Sequence, residues 1–184
     1  MPTIEGKGWE LMIKRIEHQS RSGAPKRTYS EYQVFINGKP VAGLSGNICE
    51  REGPGDNTKD GDKFDRRIEE GRYPLSTQFG KKYRSDGFKN GEEHPMPGFL
   101  LMETNKRTAI LVHPGHSPTL YISSVGCLNP TKALTKSEDM TFNDSRARVI
   151  AMIESLKQHD PAAFKKSGTN TAIKNAAVVI DGEP

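Results

Sequence analysis

Short apolar runs separated by polar loops occupy most of the chain before residue 140, and this pattern predicts strands. Residues 9–18 and 28–36 are rich in β-branched and aromatic residues and partly alternate in polarity, as half-buried strands do. Asn37-Gly38 predicts a tight hairpin turn, because both residues tolerate the positive φ that such a turn requires. Residues 41–50 are the expected returning strand, so the first part of the chain is predicted to be three consecutive strands.

The middle of the chain contains shorter apolar runs between long polar stretches. Polar loops are expected at residues 51–65 and again before Gly98, and a hairpin turn is expected at 104–107. Within residues 68–75 a turn at Gly71 is expected to lead into a short strand, and the apolar runs at 99–103, 108–113 and 120–123 predict further short strands. Together with the first three strands, they indicate a mainly β fold.

One amphipathic helix is predicted near the C-terminus. It is expected to run from about Arg146 to His159, with Asn143 or Ser145 as its cap. Its apolar face would comprise Val149, Ile150, Ile153 and Leu156. Residues 1–164 are therefore expected to form one domain. Residues 165–184 are expected to be a polar tail, in which 176–180 adds an edge strand or stays loose.

Composition limits the core and the class of protein. Of the 184 residues, 33% are hydrophobic, and 18 glycines and 12 prolines make the chain rich in turns. A single domain with a modest core is expected from these values. The two cysteines, Cys49 and Cys127, have no CxxC or Cys/His ligand spacing, which disfavours a multi-disulfide scaffold and a structural zinc site.

The charges are interspersed rather than segregated. The chain has 27 basic and 23 acidic residues, a net charge of +4, and no cluster of Lys and Arg among aromatic residues, which argues against a nucleic-acid partner. The first residues contain no apolar run of the kind a secretory signal needs, and no window is long and apolar enough to span a membrane. Synthesis in the cytoplasm without a signal peptide, and no membrane insertion, are therefore expected.

One polar loop superficially resembles a calcium-binding loop, through Asp56, Thr58, Asp60 and Gly61. The twelfth position of such a loop would be Arg67 instead of the bidentate glutamate that an EF-hand requires. An EF-hand is therefore rejected, and no metal or other cofactor is expected.

The segment from residue 110 to 130 contains the candidate chemistry. His113 ends one apolar run and Cys127 follows the next, and neighbouring strands lie only about 4.8 Å apart. An imidazole beside a thiol can take its proton and so generate the nucleophilic thiolate. Gly126 has no Cβ to obstruct a carbonyl substrate, and the N–H groups of Gly126 and Cys127 are candidate donors to a developing oxyanion. These groups together suit acyl transfer through a thioester.

Structural alternatives compete with this interpretation. Free cysteines are often buried packing residues, and Cys49 is interpreted in that way. A cysteine peptidase in which Cys127 pairs with His159 is disfavoured, because His159 falls at the end of the predicted helix. A non-catalytic binding module is the main alternative function.

The pattern His113-x-Gly115 followed by Ser124-x-Gly126-Cys127 resembles the signature of the L,D-transpeptidase catalytic-domain family. The upstream Gly71-x-Tyr73-Pro74 also resembles that family, and the resemblance covers roughly residues 50–131. It implies an L,D-transpeptidase-like β-sandwich or barrel with one C-terminal helix. It also implies attack on peptidoglycan stem peptides, with transfer of the acyl group to an amine or to water.

The resemblance also implies roles for individual residues. Cys127 would be the nucleophile and His113 the base, with the carbonyl of Gly115 or His116 orienting the imidazole ring. Ser124 and Gly126 would complete the catalytic turn. The expected substrate-binding residues are His94, Gly115, His116, Tyr121 and Asn129.

Two positions depart from the family pattern. Val125 occupies the place of a histidine, and Asn129 occupies the place of an arginine whose charge an asparagine cannot supply. Arg72, Arg84 and Arg107 are candidates to replace that arginine. Because the implied substrate lies outside the cytoplasm, delivery by a route such as type VI secretion is expected, with an immunity protein as the partner of an antibacterial effector.

Overall fold

The computed structural model describes residues 1–60, 65–165 and 168–184. It shows a mainly β protein with a nearly closed, barrel-like sheet and one long C-terminal helix. The elements, in chain order, are β1 Trp9–Gln19, β2 Arg27–Ile36, β3 Lys39–Arg51, β4 Gly71–Thr77, β5 Tyr83–Arg84, β6 Met96–Pro97, β7 Phe99–Leu101, β8 Leu111–Val112, β9 Asn129–Thr131, α1 Phe142–His159, α2 Pro161–Phe164 and β10 Ala172–Asp181.

Eight of the strands form one sheet in the order β8-β7-β4-β10-β1-β2-β3-β9, and β5 and β6 form a separate small sheet. Strands β1, β2 and β3 are antiparallel neighbours, as the apolar runs predict. The hairpin between β2 and β3 turns at Asn37 and Gly38, whose φ values of 50° and 77° are those of the expected turn.

The two edge strands of the sheet, β8 and β9, approach each other and nearly close the barrel. Val112 of β8 forms a parallel bridge with Leu128, the residue that precedes β9. The Leu128 N–H donates to the Leu111 carbonyl at 2.9 Å, and the His113 N–H donates to the Leu128 carbonyl at 3.1 Å. We refer to this pairing of residues 111–113 with 127–129 as the seam.

Apolar side chains from the sheet and the helix form the main core. Helix α1 contributes Val149, Met152, Ile153 and Leu156 to it. Trp9 is fully buried; its ring packs edge-on against Phe99 at 6.3 Å, and its Nε1 donates to the Ser155 hydroxyl of α1 at 2.9 Å. The helix is thereby fixed against the first strand. No helix of the described residues is long and apolar enough to cross a membrane.

A buried ionic cluster lies at one end of the sheet. The Arg15 guanidinium forms two hydrogen bonds to the Glu50 carboxylate, at 2.8 and 3.0 Å, and neither side chain is exposed. Glu183 accepts from both Arg15, at 2.9 Å, and Arg67, at 2.6 Å. Because two buried guanidinium groups share this carboxylate, the C-terminal residues are tied to the strand ends.

Several sequence predictions require correction. Helix α1 begins at Phe142, earlier than expected, with Thr141 at its N-cap position. Residues 120–123 form a turn and an irregular segment instead of a strand, and the residue that bridges to β8 is Leu128, which follows Cys127. Of the suggested calcium-loop residues, Gly61 lies outside the described residues, and Asp56 accepts hydrogen bonds from the N–H and hydroxyl of Thr58 in a local turn.

The largest difference concerns the C-terminal segment. Residues 176–180 belong to β10, which lies between β4 and β1 in the interior of the sheet, so the expected edge strand or loose segment is wrong. Val178 is fully buried and pairs with Leu11 on one side and Tyr73 on the other. The polar tail therefore contains a central strand of the fold.

We expect Val178→Ala to destabilise the protein by about 2–3 kcal/mol, because it removes two methyl groups from a filled interior site. The measurement is the urea midpoint of unfolding. Lys174→Ala changes an exposed residue of the same strand and should alter stability by no more than about 0.5 kcal/mol. Equal small effects of both substitutions would contradict the interior position of β10.

Candidate active site

The seam of the barrel opens into a cleft of about 600 Å³, which both Cys127 and His113 line. In the parallel register set by Val112 and Leu128, Cys127 lies beside Leu111, and Asn129 lies beside His113. Side chains two residues apart on a strand point to the same face. The nucleophile and base candidates therefore share a face of the sheet. Cys127 lies beside Leu111, which is two residues before His113 on the neighbouring strand.

The imidazole of His113 is held in a fixed orientation. Its Nδ1 lies 2.8 Å from the carbonyl oxygen of Pro114, and Tyr83 stacks on the ring with centroids 4.3 Å apart. Because a carbonyl only accepts, Nδ1 is the protonated nitrogen of the neutral ring and Nε2 is its basic nitrogen. The carbonyl that orients the ring is thus that of Pro114, not that of Gly115 or His116 as expected.

His113 is uncharged at neutral pH. Burial lowers the pKa of His113 to about 3, although its hydrogen bond to the Pro114 carbonyl acts in the opposite direction, and the nearby His116 lowers it further. The side chain is only 2% exposed, yet it forms part of the cleft lining. The candidate base is therefore neutral in this structure.

Cys127 is also uncharged at neutral pH. Burial raises the pKa of the Cys127 thiol to about 11, although the Leu111 N–H and the positive charge of Arg107 partly oppose this. The sulfur accepts from Leu111 N–H at 3.3 Å and lies 3.5 Å from the Ala109 carbonyl, to which the thiol donates. No hydrogen bond joins Cys127 to His113 in the described part of the chain, so the resting site is a neutral thiol beside a neutral imidazole.

The turn that presents Cys127 is braced from two sides. The Ser124 hydroxyl donates to the Cys127 carbonyl at 2.7 Å, and Arg107 donates to the Val125 carbonyl at 3.1 Å. Gly126 has φ of +150°, and a Cβ there would lie 2.4 Å from the Arg107 guanidinium. Glycine is therefore required both for the backbone conformation and for the approach of Arg107.

The N–H groups of Gly126 and Cys127 remain candidate oxyanion donors. Within the described residues, neither of them donates a hydrogen bond. A backbone N–H group next to Cys127 that has no other acceptor can donate to a developing oxyanion.

Among the three candidate arginines, Arg107 lies near Cys127. Its guanidinium also donates to the carbonyls of Arg66, at 2.7 Å, and Arg67, at 3.1 Å. Arg72 instead binds Glu10 at 2.6 Å, and Arg84 donates to the Asp86 carbonyl at 3.0 Å. Arg107 thus supplies a positive charge near Cys127 from a different position along the chain.

Several predicted substrate-binding residues occupy supporting positions. Asn129 is fully buried, and its side-chain amide donates to the His113 carbonyl at 3.0 Å. Tyr121 is 2% exposed and packs under the buried Arg27. A Cβ on Gly115 would lie 2.7 Å from the Met140 methyl group, so this glycine allows close packing. None of these three residues lines the cleft in the described part of the chain, and Asn129 contacts His113 directly.

His116 and His94 surround Tyr83. The His116 Nε2 lies 2.9 Å from the Tyr83 hydroxyl, and the His94 ring meets the Tyr83 ring edge-on at 6.5 Å. His94 Nδ1 also lies 3.2 Å from the Lys82 carbonyl. Both histidines therefore fix the segment that carries Tyr83, which in turn stacks on His113.

Sequence reasoning missed Tyr83 and the adjacent lysines. Lys81, Lys82 and Tyr83 line the cleft; the two lysines end the loop after β4, and Tyr83 begins β5. The only signal in the sequence is one tyrosine within a polar stretch, without periodicity or a motif. Its contact with His113 depends on how this loop folds over the seam.

Arg107→Gln is expected to slow alkylation of Cys127 by iodoacetamide about 3- to 10-fold at pH 8, because loss of the positive charge raises the thiol pKa. Peptide mass spectrometry separates this reaction from that of Cys49, which burial keeps neutral with a pKa of about 12. Arg107→Lys retains the charge and should keep most of the rate. Arg84→Gln is the control, because it removes a guanidinium elsewhere, and it should leave the alkylation rate unchanged. A wild-type alkylation rate in folded Arg107→Gln would contradict the assignment of Arg107 as the charge that lowers the pKa of the Cys127 thiol.

His113 should also make folding sensitive to acid. Its pKa is about 3 in the folded state and about 6.5 in the unfolded chain, so the unfolded state binds more protons between these values. Its contribution to stability is therefore complete above pH 6.5 and is lost as the pH falls toward 3.

We expect His113→Gln to reduce the decrease in the urea midpoint between pH 7.5 and pH 4.5. His94→Gln makes the same change at an exposed site and should leave that decrease as it is in the wild type. If the two variants show the same pH dependence, the buried neutral state assigned to His113 is incorrect.

Among the described residues, no group of three or more His, Cys, Asp or Glu side chains is arranged to hold a metal ion. No family model matches the chain, and no curated protein or solved structure is detectably similar to it. The function must therefore be argued from the geometry of the seam and from the sequence motifs at it.

Proposed function

We propose that this protein is a cysteine-dependent acyl-transfer enzyme of the L,D-transpeptidase type, which acts on peptidoglycan stem peptides. The observation that carries the proposal is the position of Cys127 and His113 on one face of the seam, where both line the same cleft. The L,D-transpeptidase-like character of the barrel is part of the proposal and depends on the motif resemblance around these two residues.

The first step is transfer of the thiol proton. The Cys127 side chain turns from the Ala109 carbonyl toward His113, whose basic Nε2 accepts the proton as the sulfur attacks the scissile carbonyl carbon. A sulfur–carbon bond forms and the carbonyl π electrons move to oxygen. The N–H groups of Gly126 and Cys127 donate to this oxygen, while Arg107 supplies positive charge behind the turn.

Collapse of the tetrahedral intermediate releases the leaving amine. The carbon–nitrogen bond breaks, the amine takes the proton from the His113 imidazolium, and a thioester on Cys127 remains. An amine or water then loses a proton to His113 and attacks the thioester. The products are a new peptide bond or a free carboxylate, and the Cys127 thiol is restored.

A non-catalytic peptidoglycan-binding module is the second candidate function. The observation that favours it is the resting geometry, in which the Cys127 thiol donates to the Ala109 carbonyl at 3.5 Å instead of to His113. In that case the cleft would retain stem peptides without breaking a bond, and the seam residues would serve packing alone.

The proposed substrate lies outside the cytoplasm. The proposal therefore includes action in the periplasm or cell wall after delivery that does not use the general secretion route, such as type VI secretion. An antibacterial effector of this kind would have an immunity protein as its partner in the producing cell.

We expect the purified protein to convert muropeptides to new products, and Cys127→Ala and His113→Ala each to lower the rate by at least about 100-fold, since nucleophile and base act in the same step. Chromatography with mass spectrometry of the muropeptides is the measurement. In cells, fusion to a periplasmic signal should make the wild type toxic, whereas the cytoplasmic form should not be.

Cys49→Ala is the matched control, because Cys49 is fully buried outside the cleft. This substitution should leave turnover unchanged. Equal turnover by wild type and Cys127→Ala would rule out a cysteine enzyme. Retention of muropeptides without any product would instead support the binding module.

A further inference from the structure

The charged side chains of the cleft are all of one sign. Arg51, Lys81 and Lys82 line it, and no acidic side chain does so among the described residues. Arg51 forms an ion pair with Asp65. Lys81 and Lys82 are exposed and form no ion pair within the described part of the chain. The two lysine charges are therefore available to a ligand.

The two lysines project from a fixed backbone. The Lys82 carbonyl accepts from the Met96 N–H at 2.8 Å, and the Tyr83 carbonyl accepts from the Gly80 N–H at 3.0 Å. Tyr83, the next residue, stacks on His113. The position of the lysines is thereby tied to that of the proposed base, on the same side of the cleft.

Part of the cleft lining is apolar. Ile122 and Leu111 contribute to it, and Val125 is 63% exposed although it lies only two residues before the nucleophile. Exposed large apolar residues in a cleft commonly contact a ligand. The cleft thus combines apolar side chains near Cys127 with two lysines next to Tyr83, the residue that stacks on His113.

We propose that this cleft selects stem peptides with a free side-chain carboxylate near the scissile bond, bound by Lys81 and Lys82, over the same peptides with that carboxyl amidated. This inference rests on the proposed function, for which it specifies the acyl donor. A cleft with one sign of charge concentrates oppositely charged ligands, and salt weakens this effect. The small apolar side chains of the peptide contact Val125 and Ile122.

The test measures binding to the Cys127→Ala protein, so that it does not depend on turnover. A synthetic stem tetrapeptide with free side-chain carboxylates is compared by NMR titration with the same peptide in amidated form. At 20 mM salt the free-carboxylate peptide should bind at least about 5-fold more tightly. At 0.5 M salt the difference should fall below about 2-fold, because the screening length is then only a few ångströms.

Variants identify the residues responsible. Lys81→Gln and Lys82→Gln, each added to Cys127→Ala, should reduce the preference, and the double change should abolish it. Lys39→Gln removes the same charge from an exposed site on β3 outside the cleft and should leave the preference intact. Equal affinity for the two peptides, binding of neither, or a preference that persists in the double variant would each overturn the inference.

Turnover by the wild-type protein is measured separately with the same two peptides. Carboxylate-selective binding without any cysteine-dependent product would reject the proposed enzyme and retain the ligand assignment. Cysteine-dependent turnover at equal rates for both peptides would retain the enzyme and reject carboxylate selection.

Discussion

The pair of hydrogen bonds that joins the two edges of the sheet determines both the fold and the candidate site. Leu128 donates to Leu111 and accepts from His113, so a single residue nearly closes the barrel. Val112 and Leu128 are fully buried, which shields these bonds from water. The same pairing sets Cys127 and His113 on one face of the sheet. Any change that separates the two edges would therefore open the core and also move Cys127 away from His113.

Buried arginines support the irregular segments around this seam. Arg27, Arg67 and Arg107 are among the largest fully buried side chains, which is unusual for a charged residue. Arg27 donates to the carbonyls of Tyr121, Thr135 and Glu138, and Arg107 does the same for Arg66, Arg67 and Val125. A guanidinium offers five donors in a rigid plane, so one side chain can satisfy several loop carbonyls. A chain of low apolar content thereby keeps long loops ordered.

Local patterns in the sequence correctly predicted the strands and the hairpin turn that depend on interactions between residues close together in the chain. Residues 9–50 form the expected strands and turn because alternation and Asn37-Gly38 act over a few residues. The interior position of β10 was not predictable, since a run of Ala, Val and Ile fits either an edge or a central strand. The expected proximity of His113 and Cys127 is seen in their shared cleft, although residues 120–123 do not form the strand that was expected to bring them together. Tyr83 could not be identified, because its stacking on His113 depends on a long-range contact.

The neutral state of the thiol and imidazole restricts how the proposed reaction proceeds. The raised pKa of the Cys127 thiol and the lowered pKa of the His113 imidazole both oppose proton transfer between the two groups before substrate binds. In the proposed reaction the proton therefore moves to His113 as the sulfur attacks, when the N–H groups of Gly126 and Cys127 can stabilise the negative charge that develops on the carbonyl oxygen. It follows that slow alkylation of Cys127 at neutral pH is compatible with catalysis, because a small alkylating agent does not engage those donors.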